Sequence, residues 1–359
     1  MRRPVPVPIS FFSWLLLALA ALTLAFTLTA LPACGGGDDD GPAVADAAPV
    51  DDGRFRVVFI SDTHITGPEY QCCSETPGID NASIVKTADR LREVVKRLNA
   101  ITPRPDLVFI LGDVTHNPYY STERAYYDTH DNAFQDLKDI LAGLQIPYHI
   151  VLGNHDYGIN CSDGAYVSRE FTAGMFHDFL GVEPYSVVDH KGWRFVLANS
   201  MLGPTWDPTN PMCDTDLASY GSEQLAWIDE QLSAGMPTTV LSHFTYDVTK
   251  TDEDPGAANP DLLTVLKRHA ADSVVLTLAG HLHRWLDFQD AYPFSHYIIG
   301  STRYDVDNYW VVELDPKQRS FRFLDAEKSR RLFPCSEEWL YTGDPTYESE
   351  QPAESGDCE

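Results

Sequence analysis

Positive charge is scarce in this chain. Its 359 residues carry 26 Lys and Arg against 53 Asp and Glu, a formal net charge of -27. Contact with a phosphate backbone needs clustered basic side chains, and no long Lys/Arg-rich stretch is present, so duplex nucleic acid is excluded as a main partner. Paired Cys-x-x-Cys spacing is also missing, although there are seven cysteines, which disfavours a thiolate metal site. Apolar residues are not in short supply. At 43% hydrophobic and 11% aromatic, the chain cannot be disordered throughout, and its length allows one large folded domain.

The N-terminus sets the expected compartment. Residues 1–34 read as a bacterial lipoprotein signal peptide: Arg2 and Arg3 form a positive start, an uncharged apolar run follows over 9–31, and Leu31-Pro32-Ala33-Cys34 is a lipobox-like cleavage site. Cys34 would become the lipidated first residue. The match departs from the usual pattern at Pro32, and a run of 23 residues can span a bilayer, so an uncleaved transmembrane helix is the alternative. The twin arginine lacks the context of a folded-export signal and counts as charge alone. Either reading makes the protein extracytoplasmic and membrane-anchored, periplasmic or on the cell surface. Residues 35–53 are poor in large apolar groups and read as a flexible acidic tether. A folded domain is expected over 54–333, followed by an acidic C-terminal tail, 334–359, that contains Cys335 and Cys358. Without Cys34, six cysteines remain, enough for three disulfides in 15 possible connectivities.

Within 54–333 one pattern returns five times: a short aliphatic run, then an abrupt group of Asp, Asn and His. Val57-Val58-Phe59-Ile60 leads to Ser61-Asp62-Thr63-His64, and Leu107-Val108-Phe109-Ile110-Leu111 leads to Gly112-Asp113. His149-Ile150-Val151-Leu152 leads to Gly153-Asn154-His155-Asp156. Thr239-Val240-Leu241 leads to Ser242-His243, and Val274-Val275-Leu276-Thr277-Leu278 to Ala279-Gly280-His281-Leu282-His283. Continuous apolar runs of this length predict strands buried on both faces. Helical periodicity between the first and second runs (84–98, with Val85, Leu91, Val94, Val95 and Leu98) and between the second and third (123–144) implies right-handed crossovers and parallel neighbours. In open α/β sheets ligands gather beyond the carboxyl ends of the strands, where all five polar groups fall. In Asp62-x-His64 and His281-x-His283, extended backbone would project both side chains to one side. The mixture of carboxylate, amide and imidazole suits Mn, Fe or Zn, and argues against an all-oxygen calcium site.

Asp62-x-His64, Gly112-Asp113, Gly153-Asn154-His155-Asp156, His243 and Gly280-His281-x-His283, in that order, resemble the calcineurin-like metallophosphoesterase superfamily. The similarity runs over most of 54–316. Gln224-Leu225-Ala226-Trp227 adds a likeness to a helix of its purple-acid-phosphatase and cyclic-nucleotide-phosphodiesterase branches. The resemblance implies a four-layer α/β/β/α sandwich that holds two divalent transition metal ions and hydrolyses a phosphate mono- or diester through a hydroxide bridging them. It implies that Asp62, His64, Asp113 and His283 hold one ion and Asp113, Asn154, His243 and His281 the other, with Asp113 shared. His155 would protonate the leaving oxygen and Asp156 would orient its imidazole. His116 matches Gly-Asp-x-x-His forms in which the histidine assists at the scissile phosphate; a role confined to the surface or to supporting a ligand is the alternative. The tyrosine ligand of the purple acid phosphatases is missing. The expected substrate is a small phosphorylated molecule or a lipid headgroup. A catalytically weak surface binding protein on the same scaffold is the rival class, and it predicts loss of a ligand, which has not occurred. Oligomeric state is not specified by the sequence.

Other histidines, His130, His149, His177, His190, His269 and His296, belong to no strand-end group and are expected to be structural. Arg303 follows a further strand over 296–299; contact with a phosphate is one reading, and a place on the surface is the expected one. The loop over 201–217, with Trp206 and Cys213, is expected either to wall the pocket or simply to pack.

Overall fold

The computed structural model describes residues 53–70, 83–162, 164–245, 262–288 and 292–324. The signal, most of the tether, residues 71–82 with Cys72 and Cys73, and the acidic tail lie outside the described residues.

The first three apolar runs form β1 (Phe55–Ile60), β2 (Leu107–Leu111) and β3 (Tyr148–Val151), parallel and adjacent. The crossovers run through α1 (Thr87–Ala100) and α2 (Ala133–Leu141). After β3 come a small hairpin, β4 (Ile159–Asn160) with β5 (Gly164–Ala165), and then α3 (Arg169–Leu180). A second sheet is built from β6 (Ser186–His190), β7 (Trp193–Leu197), β8 (Thr238–Leu241), β9 (Val274–Ala279), β10 (Leu286–Asp287) and β11 (Ser295–Ile298). Between its strands lie α4 (Ser222–Leu232) and α5 (Leu262–Arg268). The chain then returns to the first sheet as β12 (Tyr309–Asp315) and β13 (Ser320–Phe323). The strand orders are β13-β12-β1-β2-β3 and β10-β11-β9-β8-β7-β6. In the second sheet β7, β8, β9 and β11 are parallel.

The near-continuous apolarity of the strands follows from burial on both faces. In β1, Phe55, Val57 and Phe59 join Leu107, Phe109, Trp193, Phe195, Leu276 and Leu278 in one core between the sheets. Alternate residues Val58, Ile60, Val108, Ile110, Val196 and Val240 face the other way, into a core with Leu91, Val94 and Leu98 of α1, Phe134 and Leu137 of α2, Phe176 of α3, Ile228 of α4 and Val265 of α5. The period-2 alternation of each strand thus separates two cores. Helices cover the outer face of each sheet, giving the four α/β/β/α layers.

Two helical expectations change in detail. The stretch 123–144 is a 3-10 turn at Arg124–Asp128 followed by α2, because the Asn132 side chain accepts from the Gln135 N–H at 3.0 Å and starts the helix there. Val85 is 68% exposed: it precedes the helix start and is out of phase with its buried stripe.

Candidate metal centre

The strand ends of both sheets meet at one edge. Asp62 and His64 leave β1, Asp113 and His116 leave β2, Asn154 and His155 leave β3, His243 leaves β8, and His281 and His283 leave β9. Asp62, His64, Asp113 and His243 are buried.

Local backbone makes this convergence possible. Two residues along an extended strand are roughly 6–7 Å apart, too far for both side chains to reach one ion comfortably. The expected extended backbone is not what is found: Asp62, His64, Asp113, His281 and His283 have φ of 56°, 50°, 48°, 67° and 54°, all in the left-handed region that non-glycine residues rarely enter. Pairing resumes across the kinks, since the His64 N–H donates to Asp113 O at 2.8 Å and the Ile65 N–H to Val114 O at 3.0 Å. Gly112, with φ of 89°, allows the His243 ring to lie against its Cα, where a Cβ would collide.

Two groups of donors result. In the first, His283 Nε2 lies 3.1 Å from Asp62 Oδ1 and 3.0 Å from His64 Nε2, and His64 Nε2 lies 3.7 Å from Asp113 Oδ2. In the second, His243 Nε2 lies 3.2 Å from the same Asp113 Oδ2 and 3.0 Å from Asn154 Oδ1, which is 3.1 Å from His281 Nδ1. One Asp113 oxygen thus belongs to both groups. The other accepts the His155 N–H at 2.8 Å. His243 Nδ1 faces Leu111 O at 2.7 Å and donates to it, which turns the lone pair of Nε2 toward Asp113 and Asn154. The His281 N–H reaches both Asp62 oxygens, at 3.2 and 3.3 Å, coupling the two groups. Carboxylate, amide and imidazole donors crowded at contact distance fit a pair of divalent cations, which would replace nitrogen–nitrogen and nitrogen–oxygen contacts by ligand bonds.

The electrostatics favour the neutral, ligating form at His281 and His64, whereas His243 without a cation holds a second proton against Asp113 that a bound ion would displace. Burial, then the neighbouring His243, lowers His281 to about 3, and burial drives His64 well below its ordinary value. Both are neutral imidazoles, the ligating form. Burial, then His155 and Arg303, lowers His116 to about 3. Burial opposes charge on His243, but the Asp113 carboxylate outweighs it and raises the group to about 9. Burial would raise Asp113, yet His243 and His155 hold it well below the usual carboxylate range.

The remaining candidates separate. His155 stacks on His116 with ring centroids 4.4 Å apart and lies 5.0 Å from the His64 ring, at the rim of the donor groups. Asp156 does not orient it. Its carboxylate accepts the N–H groups of Gly153 at 2.8 Å and Thr115 at 2.8 Å, the Thr115 hydroxyl at 2.8 Å, and the Val114 N–H at 3.3 Å, so it ties the β3 exit to the β2 exit. Burial and then Asp113 raise it to about 7.

Arg303, expected on the surface, is 7% exposed: its N–H donates to Asp62 O at 3.1 Å and its Nε to Ser83 Oγ at 2.8 Å. Gln224, from the Gln-Leu-Ala-Trp helix, exchanges two hydrogen bonds of 2.8 Å with the Asn199 backbone and so anchors the end of β7 rather than the site. Phe244, which no sequence motif singles out, stacks on His281 at 4.0 Å; its position directly after a ligand candidate is the available signal. Of the histidines expected to be structural, His190 faces Asp106 at 3.1 Å, His269 faces Asp229 at 2.7 Å, His296 faces Thr277 at 2.8 Å, His149 and His130 stack on Phe109 and Tyr126, and His177 lies 3.6 Å from Glu183.

A protein of this fold and donor set is a metal-dependent phosphoesterase. The model of the calcineurin-like phosphoesterase family matches residues 55–285, well over half of the chain, and the chain belongs to that family. It is 22% identical over 235 residues to a 3',5'-cyclic-nucleotide phosphodiesterase of Nostoc sp., covering 64% of this chain and 72% of that protein. It is 25% identical over 242 residues to a probable glycerophosphodiester phosphodiesterase of Arcobacter nitrofigilis, covering 64% and 71%. The crystal structure of a dimetal phosphatase from Danio rerio aligns with a TM-score of 0.47 and 18% identity, over 72% of this chain and 92% of that one.

Proposed function

We propose that the protein hydrolyses a small phosphate ester, a diester in preference to a monoester, outside the cytoplasm and tethered to a membrane through its N-terminus. The observation that carries the reading is the pair of donor groups sharing one oxygen of Asp113. Asp62, His64, Asp113 and His283 would hold one ion, and Asp113, Asn154, His243 and His281 the other. Such ions supply charge stabilisation at the phosphoryl oxygens and lower the pKa of water. Mn, Fe and Zn suit the donors.

The chain's own residues do the rest. Asp113 fixes His155 through its backbone N–H, and the His116 ring supports the His155 imidazole from one face, which presents it to the leaving oxygen as proton donor. Preference for a diester draws support from the two relatives named as phosphodiesterases. The lipobox-like Cys34 and the acidic 35–53 stretch support the tethered location, and the half-cystine pair Cys161–Cys213 agrees with an oxidising compartment.

The test is protein lacking residues 1–34, supplied with Mn and either bis-p-nitrophenyl phosphate or p-nitrophenyl phosphate. Turnover of the diester should exceed that of the monoester, and His155→Ala should lose rate by about 10²–10⁴-fold with its metal content unchanged. No turnover of either ester with any of several metals would sink the enzymatic reading. Fractionation of the cells that make the full chain should place it with membranes.

A further inference from the structure

Resting on the ligand reading above, we infer that His116 is a positioning residue: it holds His64 in the Nδ1–H tautomer and thereby sets how tightly the ion at Asp62, His64, Asp113 and His283 is retained. His64 Nδ1 and His116 Nδ1 are 3.0 Å apart in a buried contact. Two ring nitrogens at that separation need one proton between them. The other nitrogen of His64, Nε2, is turned to His283 Nε2 at 3.0 Å and toward Asp113 Oδ2 at 3.7 Å. As a ligand it presents a lone pair there, so the single ring proton sits on Nδ1 and is donated to His116. His116 then accepts at Nδ1 and carries its own proton on Nε2.

The acceptor is built into the fold. His116 is 8% exposed, its N–H donates to Ile65 O at 2.9 Å, and its ring is sandwiched between His155, stacked at 4.4 Å, and Tyr70, edge-on at 5.2 Å. The other ion position is arranged differently. There the Nδ1 of His243 donates to the Leu111 carbonyl, a backbone group that no side-chain substitution removes. The two positions therefore differ in a testable way: one depends on the side chain at 116 and the other does not.

The test uses the full chain, stripped of metal and titrated with Mn²⁺ by calorimetry and electron paramagnetic resonance. His116→Phe keeps an aromatic ring against His155 but has no acceptor; His116→Asn places an amide oxygen near the Nδ1 position. Wild type should bind two ions. His116→Phe should bind one of them about 10–100-fold more weakly, and His116→Asn should recover most of that loss. Two ions bound by His116→Phe with unchanged affinity would overturn the inference, even if its turnover fell, and would make His116 a residue that acts on the substrate. A third ion in wild type that is lost with His116→Phe would also overturn it, by giving histidines 64, 116 and 155 an ion of their own. Wild type that takes up no ion would instead remove the ligand reading on which the inference rests. Folding of the variants does not limit the test, because ¹⁵N correlation spectra of zinc-loaded wild type read the tautomers directly: a proton on His64 Nδ1 and on His116 Nε2 is expected, and the opposite pair refutes it.

Discussion

At the scale of single residues, the site is a set of backbone kinks as much as a set of side chains. Five of the seven ligand candidates occupy left-handed backbone, a conformation that costs on the order of 1 kcal/mol or more for each non-glycine residue. The sequence made the identities and order of these candidates legible, because the seven fall directly after five apolar runs. It did not show the kinks: Asp-x-His reads as extended strand, and only the need for two side chains to reach one point bends it. Nor did it show that Asp156 ties two strand exits together, since a carboxylate beside a histidine reads most simply as its partner. Where the kinks meet, space is minimal. A Cβ at Gly280 would fall against Ser61 Oγ, 2.7 Å from Asp62 Oδ2 and 3.0 Å from Leu111 O. Leu111 O is backbone and cannot yield, so Asp62 must. Gly280→Ala is therefore expected to stay folded but to lose metal from the group containing Asp62, at least tenfold in affinity by analogy with the loss of a supporting contact. Elemental analysis after dialysis checks this, and unchanged content would show that the edge is softer than the packing implies.

At the scale of elements, the strands were readable and their grouping was not. Five apolar runs predicted five strands, and the family resemblance implied two sheets, but the runs alone did not show that three belong to one sheet and two to the other, because face-to-face packing of two sheets leaves the same apolar signature as burial beneath helices. β12 and the edge strand β13 carry alternating patterns, which a search for continuous apolar runs does not pick out. One connection between elements is covalent. Cys161 and Cys213 form a disulfide across a sequence separation of 52, joining the β4–β5 hairpin, which directly follows Asn154 and His155, to the loop over 201–217. Six cysteines offered 15 pairings, and nothing in their spacing singled this one out. Trp206 in the same loop is 2% exposed and donates to Leu217 O at 3.0 Å, so of the two expectations for this loop the packing one is met. Closing a loop of this length stabilises a fold by about 2–4 kcal/mol. The double substitution Cys161→Ser, Cys213→Ser should lower the denaturation free energy by that amount while metal content is kept, read by chemical unfolding beside elemental analysis. A loss of metal without a loss of stability would mean that the bridge serves the His155 loop and not the fold.

At the scale of the whole molecule, the negative charge is unevenly spread: six acidic residues in 35–53, eight in 334–359, and neither segment holds a Lys or Arg. The part between keeps 39 acidic and 24 basic residues, a net of -15. That charge opposes an anionic substrate over the surface as a whole, but two divalent cations would place four positive charges where the ester must land. The same ions would join the two halves of the fold. Asp62, His64, Asp113 and Asn154 come from the first sheet, and His243, His281 and His283 from the second. Without cations, the buried Asp62, Asp113 and Asp156 gather carboxylates at this seam, and Asp113 already repels Asp156. An ion that binds only the folded chain stabilises it by mass action, about 2.7 kcal/mol per site at a hundredfold excess over its dissociation constant. The melting temperature should therefore climb continuously with added Mn²⁺ and fall on chelation. His283→Ala, which removes a donor on the second-sheet side, should flatten the rise while leaving the metal-free melting temperature nearly unchanged. A melting temperature that ignores metal concentration in wild type would mean that the seam is held by the apolar core between the sheets alone.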